Sequence, residues 1–385
     1  MRSARNWFQK KIRSSQCVPP PRAELLSSEQ LNLLAIQLAQ DHQIDPRRGR
    51  NCLLRRLDEN EKVLVEAYDL VTKMEGGDVE SSAACEWLLD NFYLVEQQIR
   101  ATKLHLPGTY SKELPRLRNG ISSGFPRVYD IVLQLISHTD GRVDTDNLTQ
   151  FIASYQTVTP LTLGELWAIP IMLRLGLIEN LRQVSEHISH RRRDRNLATY
   201  WTSRLLGNGD NPSSVLRVLA ELAESDPPLR YEFIQEFLTG LQGKGNGQAI
   251  ATVQSWVEHR LAEADLTREA LQRAANHQRA ADQIAIGHSI GSLRQVDVVD
   301  WRHFVETMSV VEEALSSDPA GIYPKMDFET RDRYRHRVER LSRRSRLSEA
   351  EVAQAAVALA RTASVDQGRL EHVGVFLIGK NRRDL

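Results

Sequence analysis

Apolar residues recur along much of this chain at helical spacing. The clearest case lies between residues 84 and 100, ACEWLLDNFYLVEQQIR. There Cys85, Leu88, Leu89, Phe92, Val95 and Ile99 fall at i, i+3, i+4 and i+7, which predicts a helix with one buried face. Trp87, Asn91, Leu94 and Gln98 form a mixed stripe beside it, and Glu86, Asp90, Tyr93 and Gln97 a polar one. A helix apolar over more than half its circumference is expected at the centre of the fold. Its polar stripe then needs partners, because unpaired buried polar groups are costly. Those partners are either arginines and backbone groups of adjacent helices or a ligand.

The same periodicity predicts helices on both sides. Ser27 and Gln30 have the spacing of a capping box ahead of Leu31, Leu34, Ile36 and Leu38. A longer helix begins near residue 50, with Leu64, Ala67, Tyr68, Val71 and Met74 on its inner face, and Gly76 and Gly77 end it. The central helix follows from Ser81 or Ser82. Pro107, Gly108, Pro115, Gly120 and Gly124 break up the next stretch, after which Pro126 opens a helix carrying Val128, Ile131, Val132 and Leu135. A turn, HTDGRVDTDN, precedes a helix with Leu148, Phe151 and Ile152. Thr162 and Glu165 form a second capping box before an almost wholly apolar segment, residues 166–181. Pro170 is expected to bend that segment, which runs on through His187 into HRRRDR, residues 190–195.

Two turn-rich stretches, residues 207–214 and 243–248, flank helices at 215–223 and 231–241. Helical pattern then continues to about Gly287. Asp300 caps a helix with Trp301, Phe304, Val305, Met308, Val311 and Leu315 on one face. Asp327 or Thr330 starts an arginine-rich helix, and Ser348 with Glu351 opens an alanine-rich last one. Helix follows helix with few strand candidates. The expected fold is all-α, an array of antiparallel helices in an irregular solenoid or bundle, without a fixed repeat. The expected organisation is a basic arm over residues 1–22, a helical domain over 23–206 and a second over 207–385, or one continuous array.

Composition narrows the function. Fifty basic and fifty acidic residues cancel, which argues against a dedicated nucleic-acid binder. Three scattered cysteines, Cys17, Cys52 and Cys85, suit a reduced cytosolic chain better than a disulfide framework. Cys85, on the buried stripe, reads as a small apolar filler. No apolar run reaches the length of a membrane span, and the start, MRSARNWFQKKIRSS, lacks the apolar core of a secretory signal.

Three stretches are long and unusual: EWLLDNFYLVEQQIR, TPLTLGELWAIPIMLRLGLIENL and YPKMDFETRDRYRHRVERLSRRSRLSEAEVA. In this order they resemble the region near the start of the cyclic β-1,2-glucan synthases, large bacterial membrane glycosyltransferases. The resemblance covers most of the chain after about residue 50. In that family the region precedes transmembrane helices, the glycosyltransferase domain and further carbohydrate-active modules. The resemblance implies a parent that makes cyclic glucan from UDP-glucose at the inner membrane.

The transferase chemistry itself does not carry over. Such enzymes use an aspartate-x-aspartate motif and a QxxRW motif. The first has one match, Asp144-Thr145-Asp146, in a turn before a helix, where an N-cap role is expected. The second is missing, since Arg100 is followed by Ala101. No phosphate-binding glycine loop is present. Glu186, His187 and His190 lack the further ligands a zinc site needs, and no serine, histidine and acid link by spacing into a triad. Glu86, Asp90 and Glu165 are candidates for paired glycosidase carboxylates, but Glu165 already has a capping role. Neither metal nor cofactor is expected.

Two basic clusters remain, residues 190–195 and 331–346. They read either as charged outer faces or, with Arg191, Arg192, Arg193, Arg335, Arg343 and Arg344 as candidates, as contacts to anionic lipid. The expected role is a non-catalytic helical region supporting membrane docking or domain arrangement of a glucan synthase, with that protein's glycosyltransferase and membrane domains as partners, at the inner face of the bacterial inner membrane. The candidate binding strip is Glu86, Asp90, Tyr93 and Gln97. The alternatives are a free-standing helical adaptor and an independent carbohydrate-active helical domain.

Overall fold

In the computed structural model the described residues are 23–45, 52–73, 83–106, 113–207, 212–242, 247–366 and 372–379. The basic arm, Met74, Gly76, Gly77, Ser81, Ser82, Pro107 and Gly108 lie outside them, as do residues 208–211 and 243–246 of the turn-rich stretches.

The described residues are all-α apart from one two-stranded ribbon. In chain order the helices are α1 (Ser28–Asp41), α2 (Leu53–Thr72), α3 (Ala83–His105), α4 (Arg127–His138), α5 (Thr145–Gln156), α6 (Leu163–Leu206), α7 (Pro212–Glu224), α8 (Tyr231–Leu241), α9 (Gly247–Glu263), α10 (Arg268–Val296), α11 (Trp301–Met308), α12 (Val310–Ser316), α13 (Phe328–Ser342), α14 (Glu349–Asp366) and α15 (Gly374–Leu377). Strand β1 (Ile44–Asp45) pairs antiparallel with β2 (Arg116–Leu117), Ile44 opposite Leu117. Two-residue strands carry no readable alternation, so the ribbon has no sequence signal.

The helix starts follow from capping. The Ser27 hydroxyl accepts from the Gln30 amide, and the Gln30 side chain returns the bond to the Ser27 N–H at 2.9 Å. Asp144 caps α5 by accepting from the Asn147 amide at 2.8 Å. Asp327, rather than Thr330, caps α13, and Ser348 with Glu351 closes a capping box before α14. Each satisfies amides that the first helical turn leaves unpaired. The helix expected from Trp301 to Leu315 is in fact two. Ser309 adopts an extended backbone and caps α12 through the Glu312 amide, a local bond that competes with helix continuation. The segment containing Pro170 belongs to α6, which stays helical through the proline for 44 residues.

Contacts divide the chain into two compact units, each assembled from separate stretches. One holds residues 1–55, 100–177 and 291–385; the other holds 56–99 and 178–290. The break expected between residues 206 and 207 lies inside the second unit.

In the first unit α1 packs on α5, and α14 packs on α12 and α13 around Val311, Leu315, Tyr323, Val338 and Val352. Gly176 of α6 lies close to α4: a Cβ there would meet Ile136 Cδ1 at 2.6 Å. In the second unit Trp201 of α6 shares a core with Val218 and Leu222 of α7, Phe233 and Phe237 of α8, and Val253 and Val257 of α9. Tyr68 of α2 stacks on Phe92 of α3 with ring centroids 4.2 Å apart. Buried Glu179 takes hydrogen bonds from Arg56 and Asn60, so its charge is fully compensated, as burial requires.

Candidate functional site

The first unit contains a cleft of about 560 Å³ between the start of α6, the face of α13 and the start of α14. Its wall brings together Trp167, Asp332, His336, Glu339, Arg343 and Glu349, with Glu113, Leu114 and Pro115 at one side. The helical period explains the α13 face. Asp332, His336, Glu339 and Arg343 are spaced i, i+4, i+7 and i+11, which puts them in one row. That row is linked by polar contacts. Asp332 accepts from Arg335 at 3.2 Å, His336 lies 3.3 Å from Asp332 and 3.1 Å from Glu339, and Arg343 reaches Glu339 at 2.7 Å and Glu113 at 3.0 Å.

Glu349 stands apart from this row. It opens α14, and one carboxylate oxygen accepts from the Leu163 amide at the start of α6, 2.8 Å away. Its other oxygen makes no hydrogen bond among the described residues. Burial pushes its carboxyl up to about 7, and the neighbouring charges of Glu339 and Glu165 push the same way. The Leu163 amide and Arg343 oppose them only in part. Glu349 is thus a carboxyl with a raised proton affinity, next to a partly exposed tryptophan edge-on to Phe328.

Over 334 residues, 84% of its length, the chain is 30% identical to the cyclic beta-(1,2)-glucan synthase NdvB of Rhizobium meliloti (strain 1021). It is similar to a segment of that synthase. The match spans 11% of NdvB. No protein-family model matches the sequence. The resemblance to the cyclic β-1,2-glucan synthases therefore holds over most of the chain. Two of the stretches that first suggested it, residues 159–181 and 323–353, supply the whole cleft wall apart from Glu113, Leu114 and Pro115.

The candidates read from sequence fall elsewhere. Glu86, Asp90, Tyr93 and Gln97 do share one face of α3, but that face is exposed, with Tyr93 at 62% and Trp87 beside it at 42%. The stripe is a solvated face and needs no buried partners. The apolar stripe and most of the mixed one are buried: Leu88, Val95, Asn91, Leu94 and Gln98 lie inside, while Trp87 of the mixed stripe is exposed.

The basic candidates are dispersed across both units. Arg335 is 0% exposed and its guanidinium is neutralised by Glu306, Glu312 and Asp332. A side chain with no surface cannot meet a lipid headgroup, so Arg335 is structural. Arg191 is largely covered and pairs with Asp282 at 2.7 Å, while Arg192 is half-buried and Arg193 exposed. Arg343 belongs to the cleft, and Arg344 is exposed beyond the end of α13.

Glu165 is fully buried. It caps α6 through Thr162 and accepts two hydrogen bonds from Arg127, at 2.9 and 2.5 Å. It is therefore held structurally. His187 pairs with Asp282, and among the described residues no three histidine, cysteine or acidic side chains converge as metal ligands. A buried Ser122–Asp130–His42 chain does form, continuing to Tyr155. Its order is wrong for nucleophilic catalysis, because the serine donates to the aspartate and not to the histidine. It braces α1, α4 and α5. Of the cleft residues, sequence reasoning found only Arg343. The usable signal was that two resembling stretches also carry acids at helical spacing.

Proposed function

We propose that this chain acts as the N-terminal helical region of a cyclic β-1,2-glucan synthase-like protein, without transferring glucose itself. The observation that carries this is the 334-residue similarity to a segment of NdvB. The environments of the transfer-like acids support a non-catalytic role. Asp144, of the lone aspartate-x-aspartate, is occupied as an N-cap, and Glu165 is enclosed by Arg127.

Its partners in this reading are the glycosyltransferase and membrane domains of the synthase, in cis or in trans. The exposed α3 face with Glu86, Trp87, Asp90, Tyr93 and Gln97 is suited to domain contact, since exposed aromatics among polar groups favour interfaces. No helix among the described residues is long and apolar enough to cross a membrane. Association with the inner face of the bacterial inner membrane would rest on exposed arginines. Arg340, Arg344 and Arg346 are exposed around the end of α13, and each basic group near an anionic surface contributes about 1 kcal/mol.

The test is replacement of the matching segment of a cyclic glucan synthase by this chain. Deleting the segment should abolish or sharply reduce glucan production, and this chain in its place should restore it. The purified chain should leave UDP-glucose unconsumed. Full production from the deletion, or turnover by the purified chain, overturns the reading.

A further inference from the structure

Resting on that functional reading, we propose that the cleft between α6, α13 and α14 binds a neutral saccharide. Trp167 would serve as its apolar platform, and Glu349, Glu339 and Arg343 as its hydroxyl partners. Its volume of about 560 Å³ is that of a small-molecule site, which typically spans about 300–1,000 Å³. The lining has the mixed character that a sugar requires. A pyranose offers a flat C–H face and a rim of hydroxyls; Trp167 supplies an aromatic surface, and the carboxylates and guanidinium supply charge-assisted hydrogen bonds.

Charge argues against the other small-molecule classes. Glu113, Asp332, Glu339 and Glu349 outnumber Arg343 in the wall, so a nucleotide diphosphate is repelled. A cation finds Glu113 and Glu339 already paired with Arg343, and Asp332 paired with Arg335. What remains open is Glu349, with one oxygen held by the Leu163 amide and the other without a hydrogen bond among the described residues. A hydroxyl suits that oxygen in both protonation states, since it donates to a carboxylate and accepts from a carboxylic acid.

The experiment titrates the intact chain with linear β-1,2-glucan oligosaccharides by calorimetry and tryptophan fluorescence, with UDP-glucose as the comparison ligand. Saturable glucan binding is expected, with none for UDP-glucose. Trp167→Phe should keep binding but lose the fluorescence change. Arg343→Ala, at a largely exposed side chain, should fold normally and bind up to about tenfold more weakly, the loss expected for one charge-assisted hydrogen bond. No glucan binding by the parent chain overturns the proposal, and so does an unchanged affinity in Arg343→Ala, a fluorescence change that persists in Trp167→Phe, or UDP-glucose binding more tightly than glucan. A chain that restores synthesis in the segment replacement yet binds no glucan would refute the saccharide site and leave the functional reading standing.

Discussion

Glu349→Gln should make the protein more stable at alkaline pH and change it little in acid. Burial pushes the native carboxyl up to about 7 from its ordinary value of 4.5. The folded state therefore holds the proton more tightly than the unfolded chain does. Raising the pH from 4.5 to 7 progressively ionises the group in the unfolded chain while the fold resists, so native stability falls across that window and levels off above it. A difference of about 2.5 pKa units at 1.36 kcal/mol each gives a ceiling of about 3 kcal/mol at pH 8, and less than about 1 kcal/mol at pH 5. The side chain keeps some contact with water, which lowers the realised value.

Glutamine removes the titration and keeps the useful bond, because its amide oxygen can still accept from the Leu163 N–H. A neutral amide also removes the repulsion that the charges of Glu339 and Glu165 exert on the native carboxylate. Urea melts of both proteins at pH 5 and pH 8 measure the effect, with unchanged m-values as the condition for comparing midpoints. The expected result is a small gain at pH 5 and a gain approaching about 3 kcal/mol at pH 8. An equal effect at both pH values, or a variant less stable at pH 8, would refute the account of Glu349 as a largely covered and only partly compensated acid.

Other perturbations separate buried from exposed roles. Phe92, 7% exposed and stacked on Tyr68, should cost about 3–5 kcal/mol when cut to alanine, in a denaturant melt. Asp90→Ala, two positions away in the polar stripe on the exposed face, should stay within about 0.5 kcal/mol and act only on binding or synthase output. Arg127→Ala strands the fully buried Glu165 and should cost about 3–5 kcal/mol, with Glu165→Gln milder because it leaves no buried anion. Asp144→Ala should lower stability by about 1 kcal/mol, the usual value of a lost N-cap, with UDP-glucose still not consumed.

Helices were legible in the sequence wherever periodicity and caps agreed. Tyr231–Leu241 emerged with the limits its pattern suggests, and the caps at Ser27, Asp144 and Ser348 formed as expected. The break at Ser309 was hidden because Phe304, Val305, Val311 and Leu315 keep a helical apolar rhythm across it. Periodicity reports which faces are buried and is insensitive to one residue leaving the helix. The α3 stripes show the same limit. Spacing separated the apolar face from the polar one, but an exposed Trp87 and Tyr93 and a buried Asn91 and Gln98 depend on which neighbours cover the helix, and that is set by residues far along the chain.

The cleft was illegible for a related reason. Glu349 and Leu163 are 186 residues apart, and neither is unusual alone. A glutamate beside a capping serine at a helix start reads as a favourable charge for the helix dipole, which would hold its carboxyl low. Only when the start of α6 is laid against it, with Glu339 and Glu165 close by and no cation dedicated to it, does the same residue become an acid with a raised proton affinity. The balance that decides its chemistry, burial and like charge against one amide and a shared arginine, is a property of the assembled unit. The arginines make the converse point. Arg335 and Arg344 look alike in a basic run, yet one is sealed among Glu306, Glu312 and Asp332 while the other is exposed. The acids that sort them include Glu306 of α11 and Glu312 of α12, so the run's net charge says little about the surface it presents.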